Sequence, residues 1–359
     1  MLGTASAAPA LARVALSDSL PGQPTNLSFV GSLLYVVDPT QTDHALVLDA
    51  RNGQRLPDAI PWRGDSVNAV NPWTITEAFP RGSGAWFYDM GKHRAVRVIQ
   101  DPHERGVVAE TVTFDSSLML LNVVQRATRD WIGSGLLPRG RLAILRERDS
   151  TKFEGPDPPG DVTIPIRVRG HAFQSSLAVN ETRDRIALGT RHAGQIQIFD
   201  GDGHLLLDAE TPVSFAPSYT SRMRKGSPSM VAGADLRFGY IGLTGAGHHL
   251  YGLFSGRLNR AFPRVSNLAN TIHIFGWDGK FCGAVTVEDD LVALAVDPAE
   301  RNFYGLTARN GARPPALLRY DFPRQPNSNA CSEQGVSSNI AAGATPSMAN
   351  SYVKRRGDQ

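Results

Sequence analysis

A chain of 359 residues, 41% of them hydrophobic, is long enough to bury a sizeable core. Its 37 basic and 34 acidic residues leave a formal charge of only +3, too balanced for bulk nucleic-acid affinity. No apolar run reaches the 18 or so residues of a membrane helix, and 2 cysteines exclude a cysteine-rich metal site while permitting one disulfide.

Residues 1–10 read as a residual signal segment or a disordered leader. Ala5-Ser6-Ala7 fits a small-residue cleavage site, although the charged and apolar regions of a secretory signal do not precede it. On that basis the expected location is extracytoplasmic, periplasmic or secreted. Ala12–Ser17 alternates in polarity, as a half-buried strand does. From there pairs of strands recur in chain order. Leu33–Asp38 precedes Ala45–Asp49, Ala85–Asp89 precedes Ala95–Ile99, and Asp130–Ser134 precedes Leu142–Leu145. Arg185–Thr190 then precedes Gln195–Asp200, Leu250–Ser255 precedes Thr271–Phe275, and Asn302–Thr307 precedes Ala316–Asp321. No stretch keeps a helical apolar stripe for three turns.

Asn52-Gly53, Asp202-Gly203 and Asp278-Gly279 supply the positive φ that tight hairpins need. A period of about 50 residues with four strands per unit is the pattern of propeller blades. The fold class expected is therefore all-β, a six-bladed β-propeller over residues 11–322, followed by a flexible low-complexity tail at 323–359. The last unit has no outer strand of its own. Ala12–Ser17 is expected to supply it, joining the ends of the ring and covering a bare edge.

Phe238-Gly239-Tyr240, Leu250–Arg257 and Ile272–Lys280, continued by Leu294–Asp297 and Phe303–Leu306, resemble the TolB-like six-bladed propellers of bacteria. The likeness covers the last two units well and the others as pattern. It implies the fold and export, and no reaction. The stretch Trp62–Ser66 departs from the Gly-Arg-Gly-Pro-Gly-Glu-type loop of many members, so no role is carried to it.

Reactive motifs are absent. Gly252–Gly256 sets Ser255 one place too late for a nucleophile elbow. Asp200-Gly201-Asp202-Gly203 lacks the later ligands of a calcium loop and reads as a hairpin. Arg63-Gly64-Asp65 is a chance tripeptide. Adjacent strand residues point to opposite faces, so His248 and His249 read as a solvated turn histidine beside a packed one.

Alternating strands place two classes of connection on opposite faces. One class is short: Gly31-Ser32, Gly82-Ser83, Glu181–Asp184, Asp202-Gly203, Asp278-Gly279 and Pro298–Arg301. The other holds Pro57–Ser66, Gly155–Gly170, Thr211–Pro228, Gly256–Asn270 and Ala308–Pro315. Long loops on a rigid scaffold carry most binding residues, and these loops are rich in arginine, whose planar fork suits carboxylate or phosphate oxygens. The candidate ligand-binding residues are Arg63, Arg191, Arg222, Arg224, Arg257, Arg260 and Arg309.

The function expected is a non-enzymatic, monomeric binding or scaffold propeller that presents this basic face to an anionic protein or glycan, with no cofactor and no nucleic acid. The alternative is a metal-dependent hydrolase or lactonase holding calcium or another divalent ion at the channel mouth, with Asn68, Asn71, Asn122 and Asp289 as its nearest approach to a ligand set. A Cys282–Cys331 disulfide is expected to pin the tail, in keeping with an oxidising compartment.

Overall fold

The computed structural model describes residues 12–41, 45–57, 60, 70–78, 82–100, 105–128, 130–146, 150–261, 265–309 and 313–322. Their strands form antiparallel sheets taken one after another along the chain. The first sheet holds β2 (Asn26–Val30), β3 (Leu33–Val37) and β4 (Ala45–Asp49). Among the described residues only an isolated bridge, Leu48 to Arg55, stands where a fourth strand was expected. The second sheet holds β5 (Thr74–Glu77), β6 (Ala85–Asp89), β7 (Arg94–Gln100) and β8 (Gly106–Thr113). The third holds β9 (Met119–Gln125), β10 (Trp131–Leu136), β11 (Leu142–Arg146) and β12 (Ser150–Glu154). A seven-residue helix, α1 (Ile166–Ala172), leads into the fourth, made of β13 (Ser175–Asn180), β14 (Arg185–Thr190), β15 (Ile196–Asp200) and β16 (Leu205–Asp208).

A separate ribbon follows, β17 (Tyr219–Arg224) paired with β18 (Ser227–Ala232). The stretch Thr211–Pro228, expected as loop, thus contains a strand and part of its partner. Its short polar residues and Pro228 hid the alternation.

The remaining strands make one seven-stranded sheet: β19 (Tyr240–Gly245), β20 (His249–Phe254), β21 (Ala269–Gly276), β22 (Phe281–Val296), β23 (Asn302–Thr307), β24 (Leu317–Asp321) and β1 (Arg13–Ser17). The outer strand of one four-strand unit and the inner strand of the next are here one continuous β22. Its first half pairs with β21 and its second with β23. The residues between them, Glu288-Asp289-Asp290, include neither Gly nor Pro to break the chain.

Period-two alternation explains how the sheets stack. Tyr35 and Val37 of β3 pack with Phe87 and Val96 of the second sheet, while Leu34 and Val36 turn to Tyr304, Leu306 and Leu317. Trp86 and Tyr88 meet Leu120 and Trp131. Ile132 and Ile144 meet Leu188 and Phe199. Ala187 and Ile198 meet Tyr240 and Phe275. Tyr251 and Leu253 meet Phe303 and Leu318. Each sheet lies between two others, so β6 is buried on both sides while outer β8 and β16 are mostly exposed. The succession returns to its start, and the fold is an all-β propeller.

The seam lies at β1. It pairs antiparallel with β24, Arg13 opposite Tyr320 and Ala15 opposite Leu318. Asp289 accepts hydrogen bonds from Arg13 Nε at 2.9 Å and from the Tyr320 hydroxyl at 2.8 Å. Asp289 therefore locks the seam, and it does not line the channel as the metal alternative required.

Candidate functional site

The inner strands β2, β5, β9, β13, β19 and the second half of β22 surround a channel of about 490 Å³. Several of them are sheet-edge strands whose unpaired backbone edge lies along this wall. Its side chains are largely Leu, Val, Ile, Thr, Ser and Asn. Among the described residues two ionisable ones line it: Glu77, at the end of β5, and Arg191, directly after β14. Strand direction places Arg191 on the long-loop side and Glu77 on the short-turn side.

Arg191 is anchored by its backbone. Its N–H donates to Gln174 O at 2.8 Å, and its carbonyl accepts from Gly239 N–H at 2.7 Å. Its guanidinium stands 5.6 Å from the Phe238 ring centroid. Phe238 in turn meets the His192 ring edge-on at 5.1 Å. Burial, and then the Arg191 charge, push the His192 pKa down to about 4 and lower that of His171 as well. Both imidazoles are therefore neutral at physiological pH. Asn122, whose amide donates to Ser175 O at 2.8 Å, and Trp73, 44% exposed, complete this end of the wall.

Beneath the same face lies a cation that sequence reasoning placed among loop residues. Arg141 is 5% exposed. Its Nη2 donates to Thr190 Oγ1 at 2.9 Å, to Phe173 O at 3.1 Å and to Ser175 Oγ, while Nη1 reaches Gln197 Oε1. The network ties β11 to β13, β14 and β15. Its partners are neutral and scattered over four elements, so nothing local in the sequence marked it as buried.

The other candidates separate into kinds. Arg222 and Arg224 are exposed on β17, with Lys225 at the ribbon's turn. None of the three has an acidic partner among the described residues. Arg257 pairs with Asp290 and donates to Val265 O at 3.1 Å. Arg260 pairs with Asp235 at 3.1 Å, both well exposed. Arg309 reaches Gly22 O at 3.4 Å. Arg63 lies outside the described residues, as does Asn68. Asn71 is exposed, and its backbone N–H donates to Asp89 Oδ2 at 3.2 Å. Among the described residues no three His, Cys, Asp or Glu side chains lie together, and no helix is long and apolar enough to cross a membrane. Cys282 lies in β22; Cys331 lies outside the described residues.

No protein-family model matches the chain, nor does any curated protein. Among solved structures it is similar to the β-propeller domain of Cps50 (Swd1) from Myceliophteria thermophila, at 9% identity and a TM-score of 0.46. The match covers 86% of this chain and 99% of that one.

Proposed function

We propose that this chain is a non-enzymatic binding propeller of six blades, similar to the TolB-like proteins, that presents a cationic ribbon to an anionic protein or glycan. The blade count is supported by the inner strands, where β2 neighbours β5, then β9, β13, β19 and β22, and β22 neighbours β2 again. The observation that carries the binding reading is the ribbon itself. Arg222 and Arg224 share one face of β17, with Met223, 64% exposed, on the other, so two forks stand side by side on a strand pair outside the core. Arginine forks bind carboxylate or sulfate oxygens bidentately, and aligned cations attract anions over several ångströms.

The protein acts as a monomer outside the cytoplasm, with the Cys282–Cys331 bond formed there. Intact mass after alkylation without reductant reads that bond directly; two alkylated thiols in material from an oxidising compartment overturn it.

The ribbon is tested by replacing Arg222 and Arg224 together with Ala. Exposed substitutions of this kind change stability by less than about 0.5 kcal/mol, so the melting temperature stays put. Retention on a heparin matrix moves to lower salt. Unchanged retention at low salt sinks the reading.

A further inference from the structure

Arg191 differs from the ribbon's cations in its surroundings. Its guanidinium lies against Phe238 at the long-loop end of the channel, and among the described residues no acid pairs with it. Burial alone acts on its ionisation, lowering its pKa with no neighbouring carboxylate to offset it. A desolvated cation without a counter-charge is costly, and an anion that reaches it recovers that cost. The imidazoles beside it add no charge, because His171 and His192 are both held neutral, and the buried Arg141 behind the wall is taken up by its own hydroxyl and carbonyl acceptors. Glu77, the other ionisable residue of the wall, stands at the opposite end. Among the described residues that line the mouth, the positive charge is that of Arg191.

We infer that the channel mouth binds a small organic monocarboxylate, its carboxylate forked onto Arg191 and its apolar body lying along the channel. The planar guanidinium matches a carboxylate in geometry and charge. A phosphate monoester would bring a second negative charge that the neutral imidazoles cannot meet. Leu121, Ile241 and Leu243, half-buried on the inner strands, give the wall beyond the mouth its apolar part. A cavity of about 490 Å³ is of the size that takes small ligands. Asn122, Gln174 and Asn267 supply amides on the same wall. This site is separate from the ribbon and does not depend on the ribbon's partner.

The test uses the full-length protein with benzoate and octanoate, each titrated beside its primary amide, followed by Trp73 fluorescence and saturation-transfer NMR. Each carboxylate is expected to bind about tenfold or more tightly than its amide, the range of a charge-assisted pair over a neutral one. Arg191→Gln brings the carboxylate down to the level of the amide, and Arg191→Lys, keeping the charge without the fork, falls between. The Arg222→Ala, Arg224→Ala double variant changes nothing here. The carboxylate–amide comparison is made on the unmodified protein, so it decides the matter even where Arg191→Gln does not fold. Equal binding of acid and amide, no binding of either at millimolar concentration, or loss of binding in the ribbon variant each overturns the inference.

Discussion

On the short-turn face, acids are committed to the backbone. Asp49 accepts from Arg51 N–H at 2.8 Å, Asp200 from His204 N–H at 2.9 Å, and Asp297 from Asn302 N–H at 2.7 Å. Glu300 accepts from the N–H groups of both His248 and His249, across to the neighbouring turn, and its second oxygen meets His249 Nδ1 at 2.7 Å. On the long-loop face the ribbon offers Arg222, Arg224 and Lys225 with no described acid opposite. Acids of the long-loop face accept from backbone N–H groups too, Asp38 from Thr40, Asp89 from Lys92 and Asp157 from Gly140, so what sets the ribbon apart is that no described acid stands opposite it. Totals of charge speak about solubility; the placement of acceptors decides where a field survives.

The sharpest way to break this contrast is at the seam on which both faces depend. Deleting residues 1–17 removes β1 and its ladder to β24. At on the order of 1 kcal/mol per hydrogen bond, the loss is about 4 kcal/mol, seen as a lower melting temperature and as association on size exclusion from the bared edge. An unaltered melting temperature would mean that the ring does not rely on β1.

A step smaller, Arg141→Leu separates the buried cation of the long-loop side from its exposed ones. It leaves the Gln197, Ser175, Thr190 and Phe173 oxygens without their donor, at a cost of about 3 kcal/mol. Chemical denaturation should show that loss, whereas the ribbon double variant shows almost none. Equal stability of the two would erase the distinction.

The smallest effect is Glu300→Gln, about 1 kcal/mol at neutral pH. Burial opposes ionisation of Glu300, but the hydrogen bonds from His249 and His248 and the His249 charge outweigh it, so its pKa sits below the usual 4.5. The carboxylate therefore stabilises the fold above about pH 4.5, and that contribution fades as pH falls through the lower folded value. Calorimetry across pH 3–6 should show a steeper acid loss in the unmodified protein than in the variant. Parallel curves would place the acid sensitivity elsewhere.

The strands at the middle of each sheet were legible in the sequence, since Ala85–Asp89, Arg185–Thr190 and Asn302–Thr307 carry near-continuous apolar or aromatic runs and are strands with those bounds. The N-terminal strand was legible from what the last unit lacked. The continuity of β22 through Glu288-Asp289-Asp290 was not legible, since a unit pattern of four strands sets a boundary there. Here Asp289 and Asp290 are each met by an arginine.

The site was read less well. Arginines were weighed by their place in loops, whereas their state depends on remote partners: Asp290 for Arg257, Phe238 for Arg191, and the hydroxyls and amides around Arg141. Those pairings span tens of residues and leave no local pattern.

The pairing of β1 with β24 also sets an order of events. Strand β1 leaves the ribosome about 300 residues before its partner β24, and at 5–20 residues per second that is about 15–60 s of synthesis. Through that interval β1 has no ladder partner, only the first sheet against which Leu16 packs. Its five residues, Arg-Val-Ala-Leu-Ser, are suited to waiting in water: they are few, they open on a charge and close on a hydroxyl, and most remain solvent-facing even after docking. The clasp that closes the ring is thus a segment with little to lose by being late.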